Sequence, residues 1–405
     1  MRAVAFALLG LPVLIGLYGY ALYPAILWLL SRTVRGDSAA ATSRDASDLP
    51  IVSIVVPAYN EEVQIRGAIE ALLAQDYPAD RRQILILSDA STDRTDEIVR
   101  EYADRGVELL RMPVRGGKTA AENASCRLLR GEIVVNTDAS IRLHPHAVRE
   151  LVAHMVSPTV GVASGRDVSI ALQEAAANMA EAKYVGYEMW VRGLETRCGG
   201  IIGASGSGYA IRTVLHKIPI RPDLSRDFSA ALTARTHGFR AVSVDEALCY
   251  VPRTASIHSE FRRKIRTISR GMETLAHQRH LMNPFRYPLF AWKLLSHKVA
   301  RWLMPATAPL GLLGLVLLAI DEVWARWLLS AVCLVLIVAL VGYHLARSRR
   351  LPRPVSLVAF GVTANVAVIR AVVRYVLGHE DHIWEPTKRA AAPLAQDGAG
   401  PQASA

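Results

Sequence analysis

The chain has 405 residues, 51% of them hydrophobic, a mean hydropathy of +0.22, a formal net charge of +11 and four cysteines. That length suits two or three domains, and the hydropathy is high for a soluble protein. Cys126, Cys198, Cys249 and Cys333 form no C-x-x-C pair, which argues against a disulfide framework or structural metal site and suits a reduced cytosolic domain.

Ala3 to Leu30 contains no charged residue. It is too long for a signal-peptide core and long enough to span a bilayer, so residues 1–31 read as an N-terminal membrane anchor. A cleaved signal peptide ending near Ala39-Ala40-Ala41 is the alternative. A polar linker fills 32–49.

Residues 50–255 read as an α/β domain. The β-branched runs Ile51–Val56 and Ile84–Leu87 flank a helical pattern. Each ends in a polar loop with a carboxylate, Asn60-Glu61-Glu62 after the first and Asp89 after the second. Ile133–Val135 and Val160–Ala163 are further short strands. Strands alternating with helices predict a mainly parallel sheet covered on both faces, with ligands bound beyond the carboxyl ends of its strands.

Residues 256–300 form a basic amphipathic region. Arg253 to Arg301 holds eleven Lys/Arg against Glu260 and Glu273, a net +9. The region abuts apolar stretches at Trp302–Ile320, Trp327–Ala346 and Val355–Leu377, read together as C-terminal membrane helices over 301–378. The third carries Arg370 and Arg374, which predicts a tilted, re-entrant or interfacial helix. A basic patch beside membrane helices marks the cytosolic side and attracts anionic lipid. No nucleic-acid-binding motif accompanies it, which argues against nucleic acid as a partner. The tail, 379–405, is rich in Ala, Gly and Pro and reads as largely disordered.

Further loops carry chemistry-bearing residues. Arg115-Gly116-Gly117-Lys118-Thr119 is not a Walker loop, because the position five before Gly117 is Met112. Thr137-Asp138-Ala139-Ser140 presents one carboxylate after a strand. Gly199 to Arg212 is too Gly-dense for a helix and lacks the nucleophile-elbow spacing around Ser205. Ser225-Arg226-Asp227-Phe228 precedes a helix over Ala230–His237, where Asp227 by itself reads as an N-cap. Arg262 to Arg270 is a dense cationic run suited to phosphates or lipid headgroups.

Pro57-Ala58-Tyr59-Asn60-Glu61 and Asp89-Ala90-Ser91 together resemble the P-x-Y-N-E and D-x-S hallmarks of family-2 inverting glycosyltransferases. The resemblance covers about residues 50 to 300 plus the membrane arrangement. It is nearest to bacterial exopolysaccharide synthases of the poly-N-acetylglucosamine, hyaluronan and chitooligosaccharide type. It implies a GT-A fold with a mainly parallel sheet and a cytosolic catalytic domain in the bacterial inner membrane. It also implies a nucleotide-sugar donor, most simply a UDP-sugar, with Mg2+ or Mn2+, and inverting transfer to a growing polysaccharide. A polyprenyl- or lipid-linked acceptor is the alternative, and a non-catalytic subunit that kept the fold is a further one. Membrane lipids and export or accessory subunits complete the expected partners.

On this resemblance Pro57 fixes a turn, Tyr59 and Glu61 face the nucleoside, and Asp89 accepts a hydrogen bond from the uracil edge. Lys118 brings a cation to the donor. Asp138 holds the metal, with Ser140 in place of the second Asp of D-x-D. Gly203, Ser205 and Gly206 form the acceptor-side loop. Asp227 is the general base, with Arg226 in place of the first acid of its pair. Arg266 and Arg270 meet the departing diphosphate, within a Q-x-x-R-W motif altered to Arg263 at the Gln and Thr267 at the Trp. Trp384 to Arg389 is similar to the family's cytosolic W-x-x-T-x-R ending.

Overall fold

The computed structural model describes residues 1–33, 49–170, 176–252, 257–346 and 351–378. Most of the linker, the alternative cleavage site at 39–41, Arg253, the arginines at 347–350 and the tail with Trp384 to Arg389 lie outside the described residues.

The chain opens with α1 (Arg2–Leu17) and α2 (Tyr23–Thr33), joined by one π turn over Tyr18–Leu22 into a continuous rod. The α/β domain follows as β1 (Val52–Ala58), α3 (Ile65–Leu73), β2 (Arg82–Ser88), α4 (Thr95–Arg100), β3 (Val107–Arg111), α5 (Lys118–Ser125), β4 (Ile133–Thr137), β5 (Arg142–Leu143), α6 (Ala147–Met155), β6 (Val160–Ile170), α7 (Ala176–Arg197), β7 (Gly208–Arg212), α8 (Thr213–His216), α9 (Arg226–Thr236) and β8 (Arg240–Pro252). Then come α10 (Ile257–His277), α11 (Pro288–Leu294), α12 (Ala300–Asp321), α13 (Val323–Leu345) and α14 (Arg353–Val376).

The eight strands form one mixed sheet in the order β3-β2-β1-β4-β7-β6-β8-β5. Four of its seven pairings are parallel: β1 with β2, β1 with β4, β2 with β3, and β6 with β8. β7 is wedged antiparallel between β4 and β6. Alternation along the central strands feeds two cores. Ile54, Ile86 and Val135 join Ile69 and Leu151 on one face, while Val55, Leu85 and Val134 join Ile211 and Ala231 on the other. In α3, the buried Ile65, Ala68, Ile69 and Leu72 recur at the spacing of a single helical stripe, which turns it onto the sheet. This is a GT-A arrangement with apolar helices at both ends.

Among the described residues, four helical runs are long and apolar enough to cross a membrane: Arg2–Thr33, Pro288–Asp321, Val323–Leu345 and Arg353–Val376. The second begins well before residue 301, because α11 passes into α12 through one π turn without a break. Small residues set their packing. A Cβ on Gly314 of α12 would lie 2.5 Å from the Ala5 carbonyl and 2.7 Å from the Leu9 nitrogen of α1. Such close approach replaces hydrophobic drive where the surroundings are themselves apolar. α14 is one unbroken helix of 24 residues, not a re-entrant hairpin. Its Ala367 and Ala371 pack on Ile265 of α10.

Where the N-terminal rod meets the α/β domain, charges are buried. Tyr23 Oη donates to Glu195 Oε1 (2.5 Å), His297 Nδ1 lies 2.6 Å from that oxygen, and His297 Nε2 lies 2.6 Å from Glu188 Oε1. Arg301 Nη1 reaches Glu188 Oε2 at 2.7 Å. Burial opposes ionisation of both α7 carboxylates, but the facing His297, helped at Glu188 by Arg301, outweighs it. Glu195 is lowered, and Glu188 is held well below the usual carboxylate range.

Candidate active site

β1 and β2 end side by side, and their loops are stitched together. Asn60 Oδ1 accepts the Thr92 N–H (2.8 Å), Ser91 Oγ accepts the Asn60 N–H (3.2 Å), and Thr95 Oγ1 accepts the Glu61 N–H (2.8 Å). Asn60 (φ 53°) and Ala90 (φ 56°) both sit in the left-handed region. For alanine that conformation is unfavourable by about 1–2 kcal/mol, so the crossed bonds must hold it. Just before α4, Asp93 Oδ1 accepts the Thr95 N–H (3.0 Å).

Asp89 follows β2 and is buried. Its two carboxylate oxygens accept N–H groups from Gly116 (2.7 Å) and Gly117 (2.8 Å). Gly117 has φ 85°, a conformation that glycine adopts without strain, and it leads directly into α5. Asp89 thereby fixes the start of α5, where Lys118 is the first residue. Lys118 Nζ donates to Asp138 Oδ1 at 2.5 Å. Burial disfavours the charge on Lys118, but Asp138, Glu122 and Asp227 overcome it and raise its pKa.

Glu122, one turn along α5, is fully buried, and neither of its oxygens receives a hydrogen bond. Burial pushes its carboxyl up despite the opposing pull of Lys118 and Arg226. Arg226 Nε lies 3.8 Å from Glu122 Oε2, while its Nη1 and Nη2 donate to Asn123 Oδ1 and the His216 carbonyl, both at 2.6 Å. The guanidinium that replaces an acid beside Asp227 is therefore turned into the core, where it offsets a buried carboxylate.

Asp227 lies in the first turn of α9, where carboxylates are favoured by the helix dipole. Ser225 Oγ and the Phe228 N–H (2.9 Å) both donate to Oδ1. Oδ2 faces Gly206, where a Cβ would come within 2.8 Å of it. Gly203 lies against the Phe228 ring, its would-be Cβ 3.0 Å from Cδ2. Ser205 Oγ donates to both oxygens of Asp167 (2.8 and 2.9 Å), and its N–H donates to Ser164 Oγ (2.8 Å).

α10 is strongly amphipathic and brings Arg263, Arg266, Thr267 and Arg270 to the same cleft. Arg270 is buried, and Arg263 is paired with Glu260 (2.6 Å). Glu61, Lys118, Asp138, Ser205, Gly206, Asp227, Arg266 and Arg270 thus line one cleft at the carboxyl ends of β1 and β4. Asp89 stands behind it, supporting Lys118. Tyr59 lies to one side with the Arg115 guanidinium 3.9 Å over its ring. Pro57 corrects the expectation of a turn residue: it is buried inside β1, opposite Leu87. β1 stops pairing with β4 at Val55, so the missing N–H of Pro57 breaks no bond on that side. Sequence reasoning missed Asp167 and Glu122, which belong to no recognisable spacing.

Among the described residues, no three His, Cys, Asp or Glu side chains converge to hold a metal by themselves. The donors at Asp138 and Ser140 are oxygens only, which suits a hard cation shared with diphosphate oxygens rather than a closed protein cage.

Fold and cleft define the class of GT-A nucleotide-sugar-binding proteins. The chain matches glycosyl transferase family 2 over residues 53–187 and glycosyl transferase family group 2 over 133–344. The second match covers just over half of the chain, which belongs to that family. It is similar to the beta-monoglucosyldiacylglycerol synthase of Synechocystis (35% identical over 123 residues, 29% of this chain and 26% of that one). It is also similar to an N-acetylglucosaminyltransferase of Rhizobium meliloti (28% over 197 residues, 45% of this chain and 44% of that one). The match thus spans between a quarter and a half of the length of these relatives. Among solved structures, a mannosyltransferase of Pyrobaculum calidifontis in complex with GDP-Man and Mn2+ superposes with a TM-score of 0.70. It is 22% identical, with 94% of this chain and 99% of that chain covered, and it supports the fold.

Proposed function

We propose that the protein is a membrane-held inverting glycosyltransferase that moves a sugar from a nucleotide sugar, most simply UDP-linked, to a growing polysaccharide. One observation carries this reading: Asp227, Asp138, Lys118, Arg266 and Arg270 meet in a single cleft beyond the strand ends. A non-catalytic subunit would have no need of that convergence. Asp227 Oδ2, beside Gly206, takes the proton of the acceptor hydroxyl. The acceptor oxygen attacks the anomeric carbon, the bond from that carbon to the diphosphate breaks, and the leaving group departs with the electron pair. Arg266 and Arg270 donate to the departing diphosphate, a task suited to planar bidentate groups. A divalent cation, Mg2+ or Mn2+, would be held by Asp138 with Ser140 nearby and would neutralise the diphosphate.

A lipid-linked acceptor is the second reading, favoured by the packing of α10, the roof of the cleft, on the apolar α14. The α/β domain faces the cytosol in this proposal, with the four apolar runs in the inner membrane. An impermeant maleimide and a cysteine at position 395 report the side of the tail; labelling from outside would show that α14 spans.

The test is a donor screen on purified protein in nanodiscs. It reads nucleoside diphosphate release and the anomeric configuration of the product. Failure of every nucleotide sugar to turn over, or retention of configuration, would sink the reading.

A further inference from the structure

Asp167 lines the cleft but has no part in the chemistry above. Its position follows from a break in the sheet. β6 runs in register with β8 from Val162 opposite Ala241 to Ser164 opposite Ser243, then resumes with Arg166 opposite Leu248. The bulge turns on Gly165, where a Cβ would stand 2.7 Å from both the Ala247 carbonyl and Cys249 Sγ. Bulges of this kind re-aim side chains beside active sites. Asp167, two residues on, is aimed at the acceptor-side loop, where both of its oxygens take the Ser205 hydroxyl. The next residue, Gly206, faces Asp227 Oδ2, which a Cβ there would approach to 2.8 Å. Ser205-Gly206 therefore stands as a thin wall with a carboxylate on either side. Thr137 Oγ1 pins that wall to β4 by donating to the Ser207 carbonyl (2.7 Å).

We propose that Asp167, oriented by Ser205, is an acceptor-specificity residue that fits this cleft to a neutral hydroxyl-bearing acceptor and against a phosphate-bearing one. This rests on the transfer reading above and adds the class of acceptor. A hydroxyl acceptor supplies O–H donors, which two carboxylates can accept from, and it needs a base to take its proton. A phosphate nucleophile supplies negative charge, has no need of a base, and would be repelled by Asp227 and Asp167 together. Of the cations that line the same cleft, Lys118 pairs with Asp138 and Arg263 with Glu260, and Arg266 and Arg270 are the groups given above to the diphosphate of the donor.

The test uses full-length protein in nanodiscs with the nucleotide sugar found by the donor screen. Three acceptor arms are run: free N-acetylglucosamine and glucose with their short oligosaccharides, diacylglycerol in mixed micelles, and a polyprenyl phosphate. Transfer is expected in a hydroxyl arm and not in the phosphate arm; which hydroxyl arm responds tells a sugar source from a lipid one. Asp167→Asn should raise the acceptor KM at least tenfold, with the donor KM moved less than twofold and the melting temperature kept. Ser205→Ala, which leaves the carboxylate but removes its hydroxyl partner, should raise the acceptor KM by a smaller factor. The proposal is overturned by transfer to polyprenyl phosphate, by no transfer in either hydroxyl arm, or by an unchanged acceptor KM in Asp167→Asn. Loss of the transfer reading itself looks different: the wild type would then neither bind nor turn over any nucleotide sugar, with or without an acceptor.

Discussion

Lys118 Nζ lies 2.5 Å from Asp138 Oδ1, so the carboxylate expected to face a metal is held by a lysine. A cation arriving with the diphosphate must share or displace that lysine. Asp138→Ala should weaken nucleoside diphosphate binding by on the order of 10–100-fold, the worth of one charge-assisted contact. Turnover should cease in excess EDTA and return with Mg2+ or Mn2+. Titration calorimetry with and without metal checks this, and full activity in EDTA would count against it.

Asp227→Asn keeps the shape of the carboxylate and loses its basicity. Transfer should fall by roughly 10²–10⁴-fold, the usual contribution of a general base. Donor affinity should stay within a few-fold. A variant with more than half of the wild-type rate would refute the role.

Gly206→Ala places a methyl group against Asp227 Oδ2, at a separation of 2.8 Å before relaxation. Asp227 would have to swing away, so kcat should drop with the donor KM held. Equal loss in a mild variant such as Gly203→Ala, whose neighbour is the Phe228 ring, would show that the loop and not the carboxylate is responsible.

Arg226→Ala leaves Glu122 buried without its guanidinium partner. Breaking such a pair typically destabilises by about 3–5 kcal/mol, while removing both charges is far milder. Thermal unfolding should therefore rank wild type above Glu122→Gln/Arg226→Gln, and that pair above Arg226→Ala. A neutral Arg226→Ala would show that the pair contributes nothing.

Acid should loosen the joint between the N-terminal rod and the α/β domain. Glu188 and Glu195 titrate below the ordinary value of 4.5 in the folded protein. Their stabilisation is complete above that value and is lost as pH falls through the lowered folded values. Melting temperature should hold from neutrality to about pH 5 and decline below pH 4.5. Glu188→Gln should start lower at neutral pH and decline less steeply. Parallel curves for the two proteins would exclude Glu188 as a source of the acid sensitivity.

Much of the fold is legible in the amino-acid order. The β-branched runs at Ile51–Val56, Ile84–Leu87, Ile133–Val135 and Val160–Ala163 form β1, β2, β4 and β6 because each is short, apolar and bounded by turn residues. The apolar stretches form helices for the same local reason. β3 carries no such signal: Val107-Glu108-Leu109-Leu110-Arg111 is a half-buried edge strand with charges in it. β8 is hidden because Asp245 and Glu246 interrupt its pattern where the sheet bulges. Asp167 has no motif around it; only the pairing of β6 with β8, some eighty residues apart, brings it to the cleft. The inward turn of Arg226 depends on Glu122, about a hundred residues earlier. Local pattern carries the elements, but long-range pairing decides which polar residues become neighbours.

Ile265 of α10 rests on Ala367 and Ala371 of α14, while the same helix carries Arg266 and Arg270 over the cleft. The cleft has no clean line along which it could be cut from its greasy half. A fragment ending at Pro252 would lack the arginines that close it. One ending at His277 would keep them on a helix with its underside bare, prone to stick to other copies. Workable material has to be the whole chain in detergent or lipid.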